Sequence, residues 1–233
     1  MGIMELARID LSRDDLDKRI GGGIPHGSLI IIEGEESTGK SVLCQRLAYG
    51  FLQNRYSVTY VSTQLTTLEF IKQMNSLNYS INKKLLSGAL LYIPVYPLIA
   101  DNKKKDGFLK KVMETRAFYE KDVIIFDSIS ALIANDASEV NVDDLMAFFK
   151  RITALKKIII CTVNPKELPE SVLTIIRTSA TMLIRTELFT FGGDLKNLAK
   201  ILKYNMAPGS YQKNIVFRVE PKIGIAVEIA SVA

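Results

Sequence analysis

The chain has 233 residues, 48% hydrophobic and 24% charged, the balance of a globular protein long enough to bury one large core. No apolar run approaches the roughly twenty residues of a membrane span, and the opening MGIMELARIDLSRDDLDKRI mixes acids with bases where a signal peptide would be apolar. Two cysteines and one histidine leave no disulfide framework and no zinc-type cluster, while a net charge of +5 permits an acidic partner without demanding one.

In chain order, the first strong element is an apolar strand at 29–33, followed by a helix at 40–53 on which Val42, Leu43, Leu47, Ala48, Phe51 and Leu52 repeat at helical spacing. Between them runs GEESTGKS, which has the spacing G-x-x-x-x-G-K-[ST] of a phosphate loop. The residue types answer a chemical need. Backbone N–H groups must surround phosphate oxygens, and Gly39 permits the tight turn and the close approach. Lys40 brings a positive charge to the phosphates, Ser41 offers a hydroxyl to a magnesium ion, and the helix start adds its dipole behind the anion. Gly34, Ser37, Thr38, Gly39, Lys40, Ser41 and Val42 are therefore candidate ATP-binding residues.

The next elements are a strand at 57–62, a helix at 66–75, a strand at 89–95 and a helix at 106–120. The lysine-rich ADNKKKDG, from Ala100 to Gly107, reads as a solvated loop. DVIIFDS then makes a buried strand at 122–127 that ends in Asp127, the carboxylate expected to hold magnesium with Ser41. In the helix at 141–155, Leu145, Phe148, Phe149, Ile152 and Leu155 share a face, and Asn141 and Asp143 are cap candidates. The strand at 157–163 delivers Thr162 and Asn164 to the same carboxyl edge. Asn164 either reads the terminal phosphate or starts the turn before Pro165. After a helix at 170–178 the texture changes to MLIRTEL, LAKILKY, NIVFRVE and IAVEIA, with a turn from Pro221 to Gly224, and these read as antiparallel strands. Cys44 and Cys161 read as small buried hydrophobes, and His26 lies in a turn.

These residues together resemble the RecA/KaiC superfamily of ATPases. The resemblance rests on LDKRIGGGIPHGSLIIIEGEESTGKS and on the distance from it to VIIFDS, and it spans nearly the whole chain. Within the superfamily, the length, YVSTQLTT and FRVEPKIGIAVEIA resemble the accessory ATPases of the archaeal flagellum (archaellum) motor. The resemblance implies an α/β, RecA-like P-loop fold over residues 1–233 as a single domain. It would have a mainly parallel sheet, helices on both faces and an antiparallel C-terminal extension. It further implies ATP with Mg2+ between subunits of a homo-oligomer, a ring of six. The ring would dock to the archaellum motor ATPase and to a membrane-anchored scaffold, on the cytoplasmic side of the membrane.

Two positions depart from active relatives. Where those carry a catalytic glutamate after the second strand, this chain has Gln64 at or next to that position, and an amide can orient a water but cannot take its proton. Where KaiC-type relatives reach across a subunit boundary with Lys-x-Arg, KILKYNMAP keeps Lys203, the residue expected to contact a neighbour's ATP, but has Asn205 in the arginine's place. Glu35 and Glu36 are either substitute bases or loop carboxylates facing solvent. The leading expectation is a nucleotide-dependent assembly component of the archaellum motor with slow or absent hydrolysis. A KaiC-like signalling ATPase and a RecA/RadA-type DNA recombinase are the alternatives. No separate DNA-binding domain and no basic-aromatic alternation supports the recombinase.

Overall fold

The computed structural model describes residues 5–95, 107–191 and 193–228, and side chains are described for all of these except Phe191. The strands are β1 (Leu6–Ala7), β2 (Ile24–Pro25), β3 (Leu29–Gly34), β4 (Val58–Ser62), β5 (Leu90–Pro94), β6 (Val123–Asp127), β7 (Ile158–Val163), β8 (Met182–Phe191), β9 (Asp194–Tyr204), β10 (Asn214–Glu220) and β11 (Gly224–Val227). The α-helices are α1 (Leu16–Arg19), α2 (Lys40–Gln53), α3 (Thr67–Ser76), α4 (Asn82–Leu86), α5 (Phe108–Glu114), α6 (Ile129–Ile133), α7 (Glu139–Ala154) and α8 (Glu170–Ser179).

Strands β3 to β11 form one nine-stranded sheet in the order β11-β10-β9-β8-β3-β7-β6-β4-β5. The pairings from β8 through β5 are parallel, and those of β8 with β9, β9 with β10 and β10 with β11 are antiparallel. Strand residues alternate between two cores, as the two-residue period of a pleated strand requires. Ile30, Ile32, Tyr60, Ile125 and Ile160 face α2 and α3, where Leu43, Leu47, Phe51, Phe70 and Met74 cover them. Leu29, Ile31, Val61, Phe126 and Cys161 face the other way, under Leu145 and Phe149 of α7 and Val172 and Ile176 of α8. Because β3, β6 and β7 are covered on both faces, they open as apolar runs, LIII, VIIF and IIIC, rather than alternating ones.

The chain leaves β3 through α2 and re-enters the sheet at β4, beyond both β7 and β6. A crossover of this kind opens a crevice at the carboxyl ends of the strands, where a ligand sits in open α/β sheets. Gly34, Ser62 and Asp127 end three of these strands, and Asn164 follows the fourth.

Several local expectations need correction. The helix at 106–120 is two pieces, α5 and a 3-10 turn at Arg116–Tyr119, and the chain turns at Thr115, whose ψ is 88°. The N-cap of α7 is Ser138, whose side chain accepts from the Asn141 N–H, so neither Asn141 nor Asp143 caps it. Leu155 is the residue at the C-terminal cap of α7 and is 69% exposed, so it leaves the apolar face, while Val142 and Met146 join it. The short α4, α6, β1 and β2 are elements that no sequence pattern marked. Of ADNKKKDG only Gly107 falls within the described residues, as does IAVEIA up to Glu228.

Candidate nucleotide-binding site

The phosphate loop is built on backbone strain and close packing. Ser37 and Gly39 both have positive φ, 62° and 89°, and Gly39 is the N-cap residue of α2. Left-handed residues of this kind curl successive backbone groups into a concave, anion-sized nest. A side chain at Gly39 would meet the ring of Phe217 at 3.0 Å, and one at Gly34 would lie 2.7 Å from the Thr186 carbonyl oxygen. Thr38 is buried beneath the loop, where its Oγ1 donates to the Glu35 carbonyl at 2.7 Å and lies 2.8 Å from Thr186 Oγ1. Lys40 folds over the loop and its Nζ donates to the Glu35 carbonyl at 2.5 Å.

Opposite the helix start, Asp127 closes the site. Ser41 Oγ donates to Asp127 Oδ1 at 3.0 Å and Thr162 Oγ1 donates to the same oxygen at 2.9 Å. The phenol of Tyr60 donates to Oδ2 at 2.8 Å. Burial pushes the Asp127 carboxyl above its ordinary range, against the pull of these three hydroxyls and of Lys40. Burial likewise lowers Lys40 from its ordinary range, against the raising influence of Asp127, Glu167, Glu36 and Cys44. The Tyr60 phenol is pushed well up, first by burial and then by the Asp127 charge, and stays a protonated donor.

A cavity of about 540 Å³ joins these groups, lined by Lys40, Ser41, Asp127, Gln64, Asn164 and Glu167 among others. Ser37, Gly39 and Val42 also line it, whereas Gly34 and Thr38 shape the loop from below. Gln64 follows the end of β4 and is exposed. Asn164 starts the turn before Pro165, its Oδ1 accepting from the Lys166 N–H at 3.1 Å, and it also lines the cavity. Glu35 is exposed and paired with Lys166 at 2.5 Å, and Glu36 is exposed at the cavity wall. Lys203 lies elsewhere. It pairs with Leu183, near the start of β8, and its Nζ donates to the Thr178 carbonyl at 2.9 Å. The phosphate loop begins at Gly34, which pairs with Thr186, three residues further along β8.

The sequence pattern does not single out Tyr60, Glu167 or Asn197 as site residues. Tyr60 reads as one more apolar strand position, and Asn197 reaches the cavity from β9, a strand distant in sequence. Glu167 was open to detection, since it follows the Asn-Pro turn at the carboxyl edge; its Oε2 accepts from Ser130 Oγ at 2.6 Å. Cys44 and Cys161 are buried, and burial pushes both thiols above their ordinary range.

A family model described as "ATPase: KaiC" matches residues 14–230. The archaeal flagellar ATP-binding protein FlaH of Methanococcus voltae is 67% identical, over 99% of this chain and 100% of its own length. The protein of the same name from Sulfolobus acidocaldarius is 29% identical over 94% of this chain and 96% of its own length. The crystal structure of a KaiC-like protein from Pyrococcus horikoshii OT3 covers 96% of this chain and 100% of its own with a TM-score of 0.73; at 20% identity that likeness speaks to the fold alone. The chain belongs to the KaiC family of ATPases and, within it, to the archaeal flagellar ATP-binding proteins of the FlaH type.

Proposed function

We propose that this chain is the ATP-binding accessory component of the archaellum motor, a regulatory module whose bound nucleotide sets an assembly state and is hydrolysed slowly or not at all. The observation that carries the reading is the 3.0 Å contact between Ser41 and Asp127, with Lys40 in the same cavity at the start of α2. A serine hydroxyl beside a buried carboxylate is an oxygen donor set suited to Mg2+, which takes few protein ligands and keeps waters and phosphate oxygens for the rest. When bound, ATP would supply the triphosphate on which this metal and Lys40 converge. Ser37, Gly39 and Val42 would hold it through the loop, and Asn164 has its amide N–H2 group left for a phosphate oxygen.

Weak hydrolysis is supported by Gln64 at the cavity, which cannot accept a water's proton, and by Asn205 in place of an arginine. The position of Lys203 is compatible with a ring. Lys203 is set back from its own phosphate loop, since its partner Leu183 precedes Gly34's partner Thr186 by three residues on β8, and a head-to-tail interface would offer it a triphosphate on another copy. Docking of a hexamer to the motor ATPase and to a membrane-anchored scaffold rests on the likeness to FlaH. Among the described residues no helix is long and apolar enough to cross a membrane, so a place at the cytoplasmic face would come through those partners. The KaiC-like signalling ATPase keeps one observation in its favour, namely that the carboxylates of Glu36 and Glu167 line the cavity.

Calorimetry of Mg-ATP binding tests the site. Removing the Lys40 charge deletes a charge-assisted contact of about 1.5–3 kcal/mol, so Lys40→Ala should bind at least about tenfold more weakly. An unchanged affinity would remove the basis of the assignment.

A further inference from the structure

We propose that Tyr60 is a positioning residue of this site: its phenol holds one oxygen of Asp127, so that the other alone is presented to Ser41 and the metal. The inference rests on the Mg-ATP reading above. Both Asp127 oxygens are engaged, but unequally. Ser41 and Thr162 share Oδ1, and Tyr60 takes Oδ2 by itself at 2.8 Å. The donor is matched in length to its task. Ser62 is the register partner of Asp127 on the adjacent strand, and Tyr60 pairs with Ile125, two residues earlier on the same face. Two strand residues span about 6.6 Å, a distance that a phenol crosses and a serine or threonine hydroxyl does not.

The phenol is itself fixed. Tyr60 is 0% exposed, its ring lies 4.9 Å from that of Phe70 and 6.1 Å from that of Tyr92, and Phe70 and Tyr92 stack at 4.1 Å. Tyr92 spends its own hydroxyl elsewhere, donating to the Leu65 carbonyl at 2.7 Å. The two tyrosines therefore belong to one aromatic block but make separable polar contacts, only one of them to the carboxylate. Partners that orient a ligating carboxylate typically change metal affinity by about 10–100-fold when removed.

The test uses the full chain and titrates Mg2+ into protein with ATP by calorimetry, alongside ATP binding in EDTA. Tyr60→Phe keeps the ring and deletes the hydroxyl, while Tyr92→Phe makes the same deletion in the same block without touching Asp127. We expect Tyr60→Phe to raise the Mg2+ midpoint by about 10–100-fold with metal-free ATP affinity unchanged, and Tyr92→Phe to leave the midpoint within about twofold of wild type. An unchanged midpoint in Tyr60→Phe, or equal shifts in both variants, would overturn the inference. Asp127→Ala separates the two readings. Loss of Mg2+ dependence there, with Tyr60→Phe like wild type, overturns only the role of Tyr60. No Mg2+ dependence in wild type overturns the site itself.

Discussion

A carboxylate at the buried end of a strand is costly to ionise, and Asp127 is 7% exposed. Its carboxyl stands above the ordinary range in the folded chain because burial outweighs three hydroxyl donors and Lys40. With a folded value raised above the unfolded one, the group favours folding at low pH, and that contribution is lost as pH rises through the folded value. Ionising Asp127 is therefore a cost that the site carries for its chemistry. Asp127→Asn should raise stability at pH 7, without metal or nucleotide, by about 0.5–2 kcal/mol, while removing Mg2+-dependent ATP binding. The gain should shrink as pH falls toward the ordinary carboxylate range. Urea unfolding at pH 7 and at about pH 4 measures both, and a lower midpoint for the variant at pH 7 would contradict the assignment of burial as the dominant influence. Lys40, Ser41 and Asp127 were legible in the sequence because their spacing encodes their chemistry. Tyr60 was not, because an aromatic residue inside a buried strand looks the same whether its hydroxyl is idle or engaged.

At the scale of elements, the phosphate loop depends on the absence of a side chain at Gly34. A Cβ there would stand 2.7 Å from the Thr186 carbonyl oxygen and closer still to Thr186 Oγ1, a backbone approach that cannot yield cheaply. Gly34→Ala should cost about 1–3 kcal/mol of stability, as overpacking does, and should weaken ATP binding by pushing the loop away from β8. Thermal unfolding together with ATP titration checks it, and a variant as stable as wild type with full affinity would contradict the packing described. The long helices α2, α3, α7 and α8 were legible because an apolar face repeats every three or four residues. The break at Thr115 was not, because apolar residues continue through it. There the Thr115 hydroxyl donates back to the Lys111 carbonyl at 2.7 Å, and threonine bonds of this kind compete with helix continuation. The Ser138 cap has a simpler reason: the helix starts at Glu139, three residues before Val142, the first buried residue of its apolar face, so the cap lies outside the periodic stretch.

For the whole molecule, alternating strands and helices implied a parallel sheet, and runs apolar on both faces implied cover on both sides. The strand order was not written in any local pattern. That β3 lies between β7 and β8 is a fact of tertiary pairing, and it sets Gly34 beside Thr186 and brings the β9 residue Asn197 to the cavity wall. The register of β8 with β9 sets Lys203 opposite Leu183, three residues before Thr186. If a neighbour's triphosphate is its target, sedimentation should show larger species with Mg-ATP than without, and Lys203→Ala should reduce that difference. A wild type that stays monomeric at every nucleotide and protein concentration would contradict the shared site.

If the chain holds ATP far better than it splits it, intact ATP should remain on the purified protein after Mg-ATP loading. Loss of a general base typically removes about 10²–10⁴-fold in rate, and no residue at the Gln64 position supplies one. From an ordinary turnover of about 1 s⁻¹, bound ATP should persist for minutes to hours, and Gln64→Glu should shorten its lifetime. Turnover of about 1 s⁻¹ or faster by the protein alone, abolished in Asp127→Ala, would contradict it.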